Sequence, residues 1–211
     1  MAIRYLIILS FIIVSCNVNQ AQNRIDNIEK LLNISLNAKD GYKIKTFKRN
    51  EIKDISYPLI EVRTDGILKQ ALMLPLSTRN GFSNYTSGDG QNLTKEGAII
   101  SKTYGFNVGM LSHKIQKSSH FKYLTSSKNW PNESIHEYEF LTPNFGSKNV
   151  FVKCKLNPIS ENKINIVESS YLTTKFEEKC NNAENDFINL YWVTEDGFVW
   201  KSKQWIGKDM S

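Results

Sequence analysis

Three histidines are the side chains of this sequence best suited to acid–base or metal chemistry. His113, His120 and His136 are scattered through a polar stretch and form no group in the sequence. Glu133 precedes His136 by three residues, a spacing that holds metals when it lies on a helix and is repeated. Here the spacing follows Pro131, occurs once and fits a strand. We therefore expect all three histidines on the surface and predict no metal site from them.

Paired carboxylates are the other candidate for catalysis, because a glycosidase needs two of them around the scissile bond. Asp89 and Glu96 flank one predicted strand, and Glu168 and Glu177 lie near another. Acidic residues in turns and on exposed strand faces are usually solvated. The sequence contains no G-x-S-x-G, H-E-x-x-H or phosphate-loop motif. We therefore assign no catalytic residue, metal or cofactor, and we expect a protein that is not an enzyme.

The three cysteines divide into one near the N-terminus and two in the body of the chain. If Cys16 carries a lipid, Cys154 and Cys180 remain as a pair. Disulfides persist in the oxidising compartments that exported chains occupy, so this pair is predicted to form a bridge. Two separate buried thiols are the alternative. No histidine is near either cysteine in the sequence and two sulfur ligands are too few, so we expect no zinc site.

Aromatic residues crowd the last predicted hairpin, FINLYWV-TEDG-FVWKSKQWIG. Tyr191 and Trp192 are consecutive and therefore lie on opposite faces of a strand. Phe198 and Trp200 share a face, and Trp205 takes the other. One set is expected to be core, and the other is a candidate ligand-facing surface for sugar rings or an apolar ligand. The alternative is that both sets are buried between the sheet and a covering helix.

The N-terminal stretch MAIRYLIILSFIIVSC has the features of an export signal. Arg4 precedes an apolar run that ends at Val14, which is much shorter than the ~20 residues a helix needs to span a bilayer. Ser15 is a small residue just before Cys16, where cleavage is expected. The final four residues resemble a bacterial lipobox, in which the cysteine thiol takes a diacylglycerol and the chain is cut before it. An ordinary secretory signal with an incidental cysteine is the alternative.

Length and composition indicate one folded domain behind this signal. The 211 residues are 40% hydrophobic and 23% charged, with a formal net charge of +6. We predict a signal peptide over residues 1–15, a lipidated tether over 16–23 and a single β-rich domain over 24–211. Asn17 is not the aspartate that commonly marks inner-membrane retention, so the periplasmic face of the outer membrane is the expected location. The modest positive charge fits acidic polysaccharide or anionic lipid and equally a solvated surface.

Periodicity assigns a helix to the start of the domain and strands to the rest. Apolar residues at helical spacing predict a helix over residues 24–38. From Tyr57 onward the pattern is that of strands separated by turn residues. The fold class is therefore all-β, a long antiparallel meander curled into a sandwich, barrel or half-barrel, with a short N-terminal helix.

Turn residues predict the individual hairpins. Glycine-containing turns at residues 64–66, 95–97 and 194–197 each separate two β-rich runs. A further hairpin is predicted with its turn inside residues 157–162. Residues 105–128 mix apolar and basic positions and fit a short helix or an irregular crossing segment.

Three stretches of the chain carry a family resemblance. These are IKDISYPLIEVRTDG at residues 52–66, GAIISKTYGFNVGML at 97–111 and FINLYWVTEDGFVWKSKQW at 187–205. They are similar to the opening strand and turn, the glycine and leucine run, and the ending of the YjbF-type lipoproteins, also called group 4 capsule polysaccharide lipoproteins. The resemblance covers about residues 50–207 and is joined by the lipobox.

The resemblance implies an all-β lipoprotein that assists secretion or assembly of an exopolysaccharide or capsule at the outer membrane. It implies no reaction and no catalytic residue. The implied partners are the membrane, through the lipid anchor, and a polysaccharide or proteins of its export, with no nucleic acid. Two alternatives stay open, a periplasmic barrel that binds a lipid or other apolar ligand and a glycan-modifying enzyme.

Overall fold

Every strand that the structure describes pairs antiparallel with its neighbours, and the strands form two sheets. The computed structural model describes positions 22, 26–27, 29–30, 46–64, 70–106, 109–116 and 131–207. The first sheet contains β1 (Ile60–Arg63), β2 (Gln70–Arg79), β3 (Phe82–Ser87), β4 (Asn92–Glu96) and β5 (Ile99–Tyr104). The second contains β6 (Met110–Gln116), β7 (Glu133–Leu141), β8 (Ser147–Ile166), β9 (Ser169–Asn181), β10 (Asp186–Val193) and β11 (Val199–Lys203).

Both sheets are meanders, because each strand lies beside its neighbour in the chain. The strand orders are β1-β2-β3-β4-β5 and β11-β10-β9-β8-β7-β6. Each sheet is curled as a half-barrel, the shape that accumulated strand twist gives to sheets of this size. Side chains join β5 to β6, where the backbone N–H of Met110 donates to the Thr103 hydroxyl at 3.1 Å. The predicted all-β fold class is confirmed.

Helix occurs only near the N-terminal end of the described residues. Positions 26, 27, 29 and 30 are helical and lie within the predicted helix, and position 22 is helical as well. One further helical turn spans Arg49–Ile52. No helix in the described residues is long and apolar enough to cross a membrane. The predicted signal peptide and Cys16 lie outside the described residues.

Three of the predicted hairpins are present. The β1–β2, β4–β5 and β10–β11 pairs form as the turn residues indicated. Gly97 and Gly197 have φ angles of 58° and 89°, a left-handed conformation that glycine adopts without a steric penalty. The turn residues 65–69 lie outside the described part of the chain.

The predicted turn at residues 157–162 is wrong, because one strand runs through this segment. β8 stays paired with β9 across it, with an irregular register between Pro158 and Ser160. Proline lacks the N–H that a strand ladder uses, and a bulge accommodates it. The chain turns instead at Val167 and Glu168, whose φ angles of 43° and 65° suit a two-residue hairpin turn. Neither residue is the asparagine or glycine that normally signals such a turn.

Two strands occupy segments in which none was predicted. β3 lies within residues 80–90, a polar, glycine-rich stretch for which no hairpin was predicted, and β6 lies where a short helix or irregular segment was expected. The register of β6 against β7 shifts between Met110 and Ser112, so Met110 and His113 are both buried. Buried residues in a regular strand are two positions apart, and here they are three apart. A search for strand alternation in the sequence therefore does not recognise β6.

The inner face of the second sheet holds most of the described core. In β8, four alternate residues are buried and the residues between them are exposed: Val150, Val152, Cys154 and Leu156. They join two clusters that include Tyr191 of β10 and Tyr138 of β7. A third cluster packs Phe47 against Leu72 and Leu74 of β2. The alternation fixes which side chains of each strand enter the interior.

Candidate functional site

A row of buried polar side chains crosses the inner face of the second sheet. Its members are His113 of β6, His136 of β7, Glu178 of β9, and Asn189 and Tyr191 of β10. The most exposed of the five is His113, at 6%. We call these five residues the buried polar network. The prediction of surface histidines is therefore wrong for His113 and His136.

Hydrogen bonds at both ring nitrogens fix the tautomer of His113. Its Nδ1 lies 2.9 Å from the carbonyl oxygen of Ile100 and, because a carbonyl only accepts, Nδ1–H is the donor. Burial lowers the pKa of His113 to about 3, and the neighbouring His136 adds to this effect. His113 is therefore neutral at pH 7. Its Nε2 accepts a hydrogen bond from Nδ1–H of His136 at 3.0 Å.

His136 connects the histidine pair to a buried carboxylate. Its Nδ1 contacts His113, and its Nε2 lies 3.3 Å from the Glu178 Oε1. Neither His136 nor Glu178 has a side chain exposed to solvent. The Ser134 hydroxyl is 2.9 Å from the same Nε2. The imidazole and the carboxylate therefore contact each other inside the core, away from water. Pairing of this kind is what makes buried ionisable side chains tolerable.

Two donors hold the second oxygen of Glu178. Asn189 Nδ2 donates to Oε2 at 2.8 Å, and the Tyr191 hydroxyl donates to the same atom at 3.2 Å. The Asn189 Oδ1 in turn accepts the backbone N–H of Trp205 at 2.8 Å. Hydrogen bonds of this kind stabilise negative charge on a carboxylate. They also connect the network to the segment that follows β11.

Tyr138 closes the histidine side of the network. Its ring stacks on His113 with the centroids 4.1 Å apart, and its hydroxyl lies 3.4 Å from His136 Nδ1. Burial, followed by the nearby Glu178, raises the pKa of Tyr138 well above its usual value. The hydroxyl is therefore protonated throughout the physiological range. It completes a set of polar groups that satisfy one another inside the core.

The predicted disulfide joins β8 and β9 beside this network. Cys154 and Cys180 are directly opposed in the register of the two strands, and their sulfur atoms are bonded. Both residues are buried. The bridge links residues 26 apart in sequence and ties the strand that carries Glu178 to the centre of the sheet.

The bridge stands within ligand distance of two network residues. The ligand atoms of His136, Cys154, Glu178 and Cys180 all lie within 4.8 Å of one another. No histidine is close to either cysteine in the sequence, but the fold brings His136 next to both of them. A metal ion is bound by thiolates, and sulfur atoms joined in a disulfide supply none. Of these four described residues, the bridged form leaves only His136 and Glu178 as ligands, too few for a closed zinc site.

The carboxylate pairs considered for glycoside hydrolysis do not converge. Asp89 lies in the turn before β4 and Glu96 is the last residue of that strand. Glu168 lies in the β8–β9 turn, and Glu177 lies nine positions further along the chain, in β9, at ~3.3 Å per residue. A glycosidase needs its two carboxyl groups within about 10 Å. His120, the remaining histidine, lies outside the described residues.

The aromatic residues of the last hairpin divide between the two faces of the sheet. On the inner face, Tyr191 has no exposed surface and donates to Glu178. Trp205 stacks on Phe187 with centroids 4.2 Å apart and meets Tyr138 edge-on at 5.0 Å. Tyr191 is therefore a core residue, and Trp205 is partly buried against a core cluster.

The other three aromatic residues of the hairpin lie outside the core. Trp192 has the ammonium groups of Lys201 and Lys175 at 4.7 and 5.6 Å from its ring centroid. Trp200 stacks on the Tyr171 ring at 3.7 Å, and Phe198 meets Trp200 edge-on at 4.8 Å. Together these side chains form what we call the outer aromatic surface: Tyr171, Lys175, Trp192, Phe198, Trp200 and Lys201.

Part of this arrangement had a signal in the sequence. Ser134, His136 and Tyr138 have the same parity in the predicted strand SIHEYEFL, which indicates a common face. Glu178 likewise has the parity of Cys180. Which strands are neighbours, and in which register, depends on pairing between distant segments that no local pattern reveals. Tyr171, Lys175 and Lys201 were missed for the same reason.

The described residues form a β-meander with a network of buried titratable side chains that contact one another inside the core. Residues 34–211 match a family model described as "Group 4 capsule polysaccharide lipoprotein gfcB, YjbF". The chain belongs to this family, which confirms the resemblance found in the sequence. Membership of a lipoprotein family implies a membrane-anchored location in the cell envelope.

A solved structure is similar to this chain in fold. It is the crystal structure of the hypothetical lipoprotein YmcC from Escherichia coli (K12), with a TM-score of 0.64 and 17% sequence identity. The match covers 77% of this chain and 84% of that chain. At this identity the likeness shows the fold alone. No curated protein matches the chain.

Proposed function

We propose that this chain is a lipid-anchored, non-enzymatic accessory factor in the secretion or assembly of an exopolysaccharide or capsule. The observation that carries the proposal is the match of residues 34–211 to a family of capsule polysaccharide lipoproteins. Cys16 would supply the anchor, since two or three acyl chains hold a soluble domain on a membrane where one does not. The residue after it, Asn17, favours the periplasmic face of the outer membrane.

The chemistry of the described residues supports a non-enzymatic role. A general acid or base must reach its substrate within about 3 Å, directly or through one water. The members of the buried polar network instead contact one another in the core, and each is at most 6% exposed. The carboxylate pairs suggested by the sequence lie at separate positions along their strands.

Deletion of the gene tests the proposed pathway. We expect the deletion strain to carry less surface polysaccharide under conditions that induce its synthesis, measured by a uronic acid or total-sugar assay on washed cells. The wild-type gene should restore the amount, and Cys16→Ser should restore it poorly because the domain is no longer held at the membrane. Unchanged surface polysaccharide in the deletion strain would overturn the proposal.

The non-enzymatic part of the proposal has its own test. Glu168→Gln and Glu177→Gln each remove one carboxylate of a pair that could serve glycoside hydrolysis. We expect both variants to restore polysaccharide of unaltered chain length, measured by gel filtration of the released polymer. A change in polymer length or in its sugar composition with either variant would indicate a glycan-modifying enzyme instead.

A further inference from the structure

Trp192 lies at the centre of a cross-strand row on the outer face of the second sheet. Its directly opposed partners are Lys175 on β9 and Lys201 on β11. Directly opposed residues share a face of the sheet, so the row crosses three strands. Both ammonium groups lie within 6 Å of the indole centroid, the range of a cation–π contact. The tryptophan ring thus keeps two positive charges close together at one site.

The charges of this row are not neutralised by neighbouring acids. Within the described residues, neither Lys175 nor Lys201 forms a salt bridge with a carboxylate. Glu177, the next residue of β9 on the same face, pairs with Lys179 at 3.2 Å. Lys203 is exposed on β11 close by and adds a further positive charge. The surface is therefore complementary to an anion.

Apolar rings continue the surface along the sheet. Tyr171 has the same parity on β9 as Lys175 and lies four positions from it, or ~13 Å at ~3.3 Å per residue. Trp200 stacks on Tyr171, and Phe198, which is 55% exposed, contacts the Trp200 edge. A ligand that spans this length meets aromatic rings at one end and ammonium groups at the other.

We infer that the outer aromatic surface binds an acidic glycan. The apolar C–H faces of sugar rings pack on the Tyr171, Trp200 and Phe198 end, and a sugar carboxylate contacts Lys175 and Lys201 beside Trp192 through charge-assisted hydrogen bonds. The length of the surface suits several consecutive sugars. This inference rests on the proposed function, because it names the chemical class of the polysaccharide that the protein contacts.

An anionic membrane surface is the competing occupant, because lysines and aromatic residues also suit lipid headgroups. The structure favours the glycan. Trp192 and Trp200 are half-buried and packed against neighbouring side chains, so they do not project outward to insert into a bilayer.

The binding test uses the full-length protein in detergent and compares alginate, a polyuronate, with neutral dextran by affinity electrophoresis. We expect alginate to retard the protein and dextran to leave its mobility unchanged. Lys175→Gln/Lys201→Gln and Trp192→Ala should each weaken alginate binding at least tenfold. The matched control is Lys102→Gln/Lys114→Gln, which removes the same charge at exposed positions on β5 and β6 and should weaken binding less than twofold.

Several outcomes would overturn the inference. The first is an equal loss of alginate affinity in the two double variants. The second is equal binding of alginate and dextran, or no alginate binding at all. The third is binding to phosphatidylglycerol vesicles that Trp192→Ala abolishes while alginate binding persists. The same double variants, expressed in the deletion strain, separate this inference from the proposed function. Full restoration of surface polysaccharide by Lys175→Gln/Lys201→Gln would overturn the binding surface and leave the pathway role standing.

Discussion

The imidazole of His136 and the carboxylate of Glu178 lie 3.3 Å apart with no solvent contact on either side chain. The polar atoms of both side chains also contact neighbours: His113 and Ser134 on the imidazole, Asn189 and Tyr191 on the carboxylate. Buried ionisable groups are tolerated when they are paired and fully hydrogen-bonded. We therefore expect the network to have a structural role, which is to fix the register of β6, β7, β9 and β10.

Loss of one member of this pair should destabilise the fold. Glu178→Gln keeps the side-chain volume but replaces one of two accepting oxygens by an NH₂ donor, so either His136 or the Asn189–Tyr191 side loses its partner. We expect the free energy of unfolding to fall by about 3 kcal/mol or more. Urea denaturation followed by tryptophan fluorescence measures the change. Glu177→Gln, one position away on the opposite face and in a surface pair with Lys179, should cost less than about 1 kcal/mol. Equal effects of the two variants would contradict a structural role for the network.

Stability should also fall with acid because of His113. Its pKa in the folded protein is about 3, against an ordinary value of 6.5. Between these values the unfolded chain binds a proton that the folded protein does not, so stability falls as the pH drops from 6.5 towards 3, by at most about 1.4 kcal/mol per pH unit. Denaturation midpoints over pH 4–7 measure the slope. His113→Gln should flatten it in this window, and an unchanged slope would show that His113 is accessible to protons when folded.

The disulfide should contribute to stability independently of pH. It closes a loop between residues 26 apart, which is worth about 3 kcal/mol in the chain-entropy account. Thiol titration of the denatured protein without reductant, after removal of the lipid, should find no free thiol. Cys154→Ala/Cys180→Ala should lower the unfolding free energy by that amount. If reduction leaves the denaturation curve of the wild type unchanged, the bridge is not formed in solution.

Hairpins that carry their own turn signal were predictable. Gly97 and Gly197 adopt the left-handed backbone that glycine permits, and one strand of each hairpin, β5 and β10, alternates in burial. The β8–β9 turn was not predictable, since Val167 and Glu168 take positive φ angles without a turn residue. At that position the long pairing of the two strands overrides local preference, as tertiary context commonly does.

The candidate sites show the same division. Strand parity puts Trp192 opposite Tyr191, and this much follows from the sequence. His113 was hidden by the register shift that precedes it in β6. Glu178 is on β9 and His136 is on β7, and β8 lies between these two strands in the sheet. Their contact therefore depends on the strand order. Contacts across a sheet depend on strand order and register, which are set by long-range pairing.

Membrane attachment should depend on one atom, the Cys16 thiol. Cys16→Ser removes the site for the diacylglycerol, and each lost acyl methylene withdraws ~0.8 kcal/mol of membrane affinity. We expect the wild type in the membrane fraction after cell breakage and Cys16→Ser in the soluble fraction, compared by immunoblot. Cys154→Ala serves as the control, because it alters a cysteine without touching the anchor. Retention of Cys16→Ser in the membrane fraction would contradict lipidation at this residue.

The two faces of the last hairpin should respond differently to the same substitution. Trp205→Ala removes a partly buried ring that packs on a core cluster, stacked on Phe187 and edge-on to Tyr138, so it should lower the unfolding free energy by about 3 kcal/mol. Trp192→Ala removes a ring held mainly by Lys175 and Lys201 on the outer face. An exposed cation–π contact is worth ~0.5–1 kcal/mol, so this variant should stay folded and close to the wild type in urea. A large loss of stability in Trp192→Ala would mean that the outer ring is covered by another part of the chain, and the surface would then be closed to a glycan.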